Sequence, residues 1–145
     1  MKKQKIAVAS DHAGYERKQV VLKFLQEQGI DFKDFGAYSS ESSDYPDYAH
    51  PLATAVSEGE FEFGITLCGS GNGINMTANK HHGIRSAICW LPEIAQLARL
   101  HNDANICALP ARYITDQEAV EIVKVFLATQ FEGGRHLTRI NKIPC

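Results

Sequence analysis

Short apolar runs alternate with amphipathic stretches along most of the chain. Lys5-Ile6-Ala7-Val8-Ala9 reads as a buried strand, ended by Ser10-Asp11-His12-Ala13-Gly14. Val20, Val21, Phe24 and Leu25 then recur at helical spacing, which predicts a helix over about 14–28 with Gly29 as its stop. Phe32 and Phe35 predict a second strand, closed by Gly36. The polar stretch from Ser39 to Tyr48, with Pro46 inside it, reads as a loop. Ala49 to Val56 reads as a helix with Pro51 in its first turn, where a missing N–H costs little. Phe63-Gly64-Ile65-Thr66-Leu67 is a third strand. It runs into the densest glycine cluster, Cys68-Gly69-Ser70-Gly71-Asn72-Gly73, and then a helix from about Ile74 to Lys80. Arg85 to Ile88 reads as a fourth strand, and Pro92 opens a helix from about Glu93 to Leu100. Ile106 to Leu109 makes a fifth strand, and Asp116 to Thr129 a helix with Val120, Val123, Phe126 and Leu127 on its apolar side. A basic segment follows Gly133-Gly134.

Short apolar strands alternating with helices imply a parallel sheet covered on both faces. The expected fold class is α/β: a three-layer Rossmann-like sandwich with a five-stranded parallel sheet, in a single domain over 1–145. The length of 145 residues suits one domain and leaves little room for a second. Hydrophobic residues at 44% and charged residues at 22% are ordinary globular values, which argues against disorder and fibrous repeats. Fifteen Lys and Arg against 17 Asp and Glu give a net charge of -2, so no nucleic-acid partner is expected. No apolar run approaches the roughly 20 residues that cross a bilayer, so no membrane partner is expected. The start, Met1-Lys2-Lys3-Gln4-Lys5, is basic, but Ile6-Ala7-Val8-Ala9 is too short for a signal peptide. A cytoplasmic location follows.

Four cysteines, Cys68, Cys89, Cys107 and Cys145, contain no Cys-x-x-Cys pair, which fits neither a disulfide framework nor a zinc cage. Cys89 and Cys107, in or beside apolar strands, read as core. No metal site is expected either. His81-His82 are adjacent and point in different directions, and no His-x-His or His-x-x-x-His occurs.

Ligands of open α/β sheets bind beyond the carboxyl ends of the strands. Asp11-His12 follows strand one there, and Cys68 with its glycine loop follows strand three. A third cluster, His101-Asn102-Asp103, precedes strand five and needs the fold to bring it near the others. The glycines Gly69, Gly71 and Gly73 let backbone N–H groups turn toward one point, and the following helix adds its positive end, so the loop suits an anion. A tight strand-to-helix turn is the plainer reading of the same residues. It is not a Walker loop, because Ile74-Asn75 stands where Lys-Ser/Thr is needed. Nor is it a dinucleotide fingerprint, which needs Gly-x-Gly-x-x-Gly after the first strand. Thiols beside helix N-termini ionise readily, and a thiolate at Cys68 serves as base or nucleophile; otherwise Cys68 is a core residue. Arg135 and Arg139, four apart, share a helical face and repel unless an anion lies between them, though solvated faces also carry such pairs. Arg112 is a further anion candidate or a surface charge. Tyr45, in Asp44-Tyr45-Pro46, lines a pocket or packs in its loop.

In this order and spacing, the segments Ser10-Asp11-His12-Ala13-Gly14, Asp44-Tyr45-Pro46, Cys68 to Ile74, Ala78-Asn79-Lys80, Arg99 to Asn105 and Glu132-Gly133-Gly134-Arg135-His136 resemble the ribose-5-phosphate isomerase B family. That family includes allose-6-phosphate and galactose-6-phosphate isomerases. The resemblance runs from Ile6 to about Arg139. It implies an aldose-ketose isomerase acting through a cis-enediolate, with no metal and no organic cofactor, on ribose 5-phosphate in pentose phosphate metabolism. Cys68 matches the family's base. One branch uses a glutamate at the position of Ile74 instead; here the cysteine is present and the glutamate absent. By the same resemblance, His101 opens the furanose ring and Asp11 hydrogen-bonds the sugar. Ser70 handles substrate oxygens, while Asn102 and the amides from Gly69 to Gly73 hold the enediolate. His12, Arg112, Arg135 and Arg139 carry the phosphate role, and Tyr45 lines the site. Family members are dimers or tetramers with sites built from two chains, so His101 and Arg139 are expected to serve a neighbouring pocket. Allose 6-phosphate is an alternative substrate, as is galactose 6-phosphate for a chain active only beside a paralogue. A non-catalytic sugar-phosphate sensor is the alternative outside enzymes.

Overall fold

In the computed structural model, which describes residues 4–145, five strands form one parallel sheet in the order β2-β1-β3-β5-β4. The basic Met1-Lys2-Lys3, part of the start judged too short in its apolar sequel for a signal peptide, lies outside the described residues. The strands are β1 (Lys5–Ser10), β2 (Asp31–Asp34), β3 (Phe63–Cys68), β4 (Ser86–Ile88) and β5 (Ile106–Pro110). The helices are α1 (Tyr15–Glu27), α2 (Tyr45–Ser57), α3 (Asn72–Ala78), α4 (Pro92–Asn102), α5 (Asp116–Ala128) and α6 (Arg135–Ile140).

The two-residue alternation of strands builds the layers. Ile6 and Val8 of β1, with Ile65 and Leu67 of β3, face a core that includes Val21 and Leu25 of α1 and Ile122, Val123 and Phe126 of α5. Ala7 and Ala9 turn the other way, onto Leu52, Ala53 and Val56 of α2. The result is the expected three-layer α/β sandwich. No helix among the described residues is long and apolar enough to cross a membrane.

Two segments differ from the sequence reading. The helix expected from Ala49 begins at Tyr45, so Pro46 sits in its first turn and Pro51 inside it. Pro46 opens this helix because its fixed φ and missing N–H suit the first turn. The basic C-terminal segment forms α6 after Gly134 at φ 61. Elsewhere the boundaries agree to within a few residues, and Thr115 and Glu118 start α5 with reciprocal side-chain caps.

Lys18 of α1 is fully buried and ties two parts of the carboxyl edge together. Its Nζ donates to Asp34 Oδ1 and to the Ala37 carbonyl, each at 2.6 Å. Ala37 N–H in turn donates to the Ser10 carbonyl at 2.6 Å, beside Asp11. Burial lowers the Lys18 pKa, against the pull of Asp34.

Candidate active site

At the carboxyl edge, β1 and β3 are neighbours whose chains leave toward opposite sides of the sheet, to β2 and to β4. Such a switch point opens a crevice. Asp11, buried at the end of β1, accepts the Gly14 N–H on Oδ1 at 3.1 Å and caps the turn His12–Gly14. The His12 N–H donates to Ser43 Oγ at 3.0 Å. Its ring Nδ1 lies 3.1 Å from both the nitrogen and the oxygen of the Ser43 main chain, so Nε2 is the nitrogen left for a ligand.

Cys68 closes β3 and packs with Ala49 of α2, Ile74 of α3 and Ala108 of β5. Gly71 caps α3 at φ 80, a left-handed conformation that favours glycine. Ser70 Oγ accepts from Asn72 N–H at 3.3 Å and from Asn72 Nδ2 at 3.2 Å, which steadies the loop. Tyr45 lies against Gly73 so closely that a Cβ there would stand 2.3 Å from the ring Cζ. Arg112 N–H donates to the Gly69 carbonyl at 3.0 Å, and its guanidinium runs past Gly69. Asp11, His12, Tyr45, Cys68, Gly69, Ser70, Gly71, Gly73 and Arg112 therefore gather at this edge. They bring a thiol, a carboxylate, loop amides and an arginine to one edge of the sheet, groups of the kinds that move a proton on a small anionic substrate.

His101, Asn102, Arg135 and Arg139 stand elsewhere. α4 leads from the carboxyl edge back to the start of β5, so its last residues lie at the amino edge. The six residues of β3 span roughly 17 Å between those edges. One chain does not bring the His101 cluster to Cys68. Arg85 Nε holds the Asn102 carbonyl at 3.0 Å. The His101 ring stacks on His136 with centroids 4.3 Å apart. Glu132 N–H donates to the Leu100 carbonyl at 3.1 Å, which brings the approach to α6 against the end of α4. Arg135 and Arg139 are one turn apart on α6 and exposed.

Sequence reasoning missed Ser43, which orients His12, and His136, which supports the His101 ring. Neither contact is local in sequence; Ser43 sits in no pattern that announces chemistry, whereas His136 closes the Glu132–His136 segment and was given no role of its own there. Trp90 and Tyr113 also went unremarked; they line a cavity beside Ser70 and Asn72.

Residues 6–143 match the model of the ribose/galactose isomerase family. The chain is 44% identical to ribose-5-phosphate isomerase B of Escherichia coli over 140 residues, 97% of this chain and 94% of that one. A ribose 5-phosphate isomerase structure from Thermotoga maritima superimposes with a TM-score of 0.95 at 51% identity, covering 97% of each chain. Ribose-5-phosphate isomerase B of Mycoplasma genitalium, solved with bound ribulose-5-phosphate, gives a TM-score of 0.93 at 39% identity, over 99% of this chain and 95% of that one.

Proposed function

The chain belongs to the ribose/galactose isomerase family and is an aldose-ketose isomerase, and we propose that it interconverts ribose 5-phosphate and ribulose 5-phosphate with Cys68 as the base. The observation that carries this reading is the position of Cys68, between an apolar floor of Ala49 and Ile74 and a loop of turned amides. Its thiolate takes the proton from C2 of the open-chain aldose, and the electron pair forms the C1–C2 double bond of a cis-enediolate. The same thiol returns the proton to C1, and the hydroxyl proton moves from O2 to O1 as the C2 oxygen becomes the ketone. Amides from Gly69 to Gly73 hold the developing oxyanion, and Ser70 and Asp11 meet the hydroxyl groups. His12 Nε2 and Arg112 bind the phosphate. Ile74 is fully buried beside Cys68, in keeping with the cysteine branch of the family.

Ring opening and the remaining phosphate contacts need His101, Asn102, Arg135 and Arg139, which stand at the opposite edge. A homodimer or homotetramer supplies them from a second copy, so that each site joins the carboxyl edge of one chain to the α4–α6 end of another. The location that fits this metabolism is the cytoplasm, and the reaction requires no cofactor.

The test is turnover by the purified protein alone on ribose 5-phosphate, allose 6-phosphate and galactose 6-phosphate under one set of conditions. Preference for ribose 5-phosphate is the expected result. Preference for a hexose phosphate would overturn the substrate. Absence of turnover on all of them would favour a subunit that needs a paralogue, or a sensor.

A further inference from the structure

The end of β1 hangs between two backbone partners. Ser10 donates its N–H to the Gly36 carbonyl at 2.7 Å and accepts the Ala37 N–H on its own carbonyl at 2.6 Å. Asp11, the next residue, donates its N–H to the carbonyl of Leu67, the neighbour of Cys68, at 3.3 Å. The turn that follows lies directly on β3, since a Cβ at Gly14 would stand 2.6 Å from the Leu67 oxygen. Asp11 is therefore tied to the Cys68 strand on one side. On the other side its place depends on where Gly36 and Ala37 stand.

Lys18 of α1 fixes those two residues. It is fully buried, and its Nζ donates to Asp34 Oδ1 and to the Ala37 carbonyl, each at 2.6 Å. The same Asp34 oxygen accepts the Gly36 N–H at 2.8 Å, so one ammonium and one carboxylate pin the whole turn 34–37. The rings of Tyr15 and Tyr38 flank the ammonium at 5.7 and 5.6 Å. Burial of an ammonium is costly, and a well-packed apolar side chain of similar size commonly serves stability as well or better. What an apolar side chain cannot supply is a fixed donor to the Ala37 carbonyl.

We infer that Lys18 is a positioning residue of the isomerase: it acts through Ala37 and Ser10 to hold Asp11 in place beside the Cys68 strand. Lys18 is fully buried, so it acts on the substrate only through Asp11. The inference rests on the sugar-contacting role proposed for Asp11. Misplacement of a reacting group by about 1 Å, caused from a distance, costs roughly 100-fold in rate.

The experiment measures unfolding and kcat/KM of Lys18→Met/Asp34→Asn, with and without Asp11→Asn. The first pair of substitutions leaves no buried charge, and asparagine keeps an oxygen for the Gly36 N–H. Stability close to wild type is expected, with kcat/KM lower by roughly 10- to 100-fold. In the Asp11→Asn background the same pair should cost less than about twofold more, because both changes disable one group. Lys18→Met alone is the second variant and is read through the same cycle; its Asp34 carboxylate keeps the Gly36 contact and is partly exposed. Turnover that returns together with stability would show a structural role only and overturn the inference. Losses that multiply with Asp11→Asn would overturn it as well. Full turnover in Asp11→Asn alone would refute the role of Asp11, and the inference with it, and that failure is read from the single variant.

Discussion

Tyr45 and Gly73 are in direct contact across the mouth of the crevice: a methyl group on Gly73 would overlap the Tyr45 ring, 2.3 Å from Cζ and 2.6 Å from one ortho edge carbon, Cε1. The contact joins the start of α2 to the start of α3. Glycine is required at position 73 because the ring occupies the space of its side chain.

Gly73→Ala should therefore push Tyr45 aside, lower stability by about 1–3 kcal/mol and reduce kcat/KM. Adding Tyr45→Ala should return part of the stability, because the two effects share one cause. Thermal or urea unfolding of the single and double variants checks this. A Gly73→Ala protein with unchanged stability and turnover would contradict the contact.

Cys68→Ser should keep the fold and bind substrate, yet lose turnover by roughly 100- to 10,000-fold, the usual worth of a positioned base. Steady-state kinetics with a separate binding measurement distinguish the two effects. Near-normal kcat would exclude Cys68 as the base.

Much of this arrangement was legible in the sequence because it is local. Strand one followed by Asp11-His12, and strand three followed by Cys68 and its glycines, place both groups at the carboxyl edge once the sheet is known to be parallel. Tyr45 was read into a loop because Pro46 and the acidic residues around it look like a helix breaker, whereas proline is favoured in a first turn. α6 was hidden by its brevity and polarity, although the four-residue spacing of Arg135 and Arg139 was visible. The stacking of His101 on His136 and the grip of Ser43 on His12 are tertiary contacts, and nothing in sequence spacing encodes them.

Arg135→Ala and Arg139→Ala should each raise KM for ribose 5-phosphate by roughly tenfold with a smaller change in kcat, as expected for a lost phosphate contact. Initial-rate kinetics across a wide substrate range are the check. A fall in kcat at constant KM would contradict the phosphate role.

Breaking the Lys18–Asp34 pair from one side leaves a buried ammonium without its partner. Asp34→Ala should cost about 3 kcal/mol. Pairing it with Lys18→Met should recover much of that loss. Chemical denaturation of the two proteins decides the matter, and equal stability of wild type and Asp34→Ala would contradict the buried pair described here.

The central claim is that Cys68 of one chain works with the His101 of another, because they lie at opposite edges of the same sheet. The most direct measurement is to co-express Cys68→Ser and His101→Asn chains carrying different tags and purify the mixed assembly. Each parent protein should be nearly inactive. A mixed dimer holds one site with both residues intact, so turnover on the order of half the wild-type value is predicted. A mixed assembly as inactive as its parents would contradict a site shared between chains.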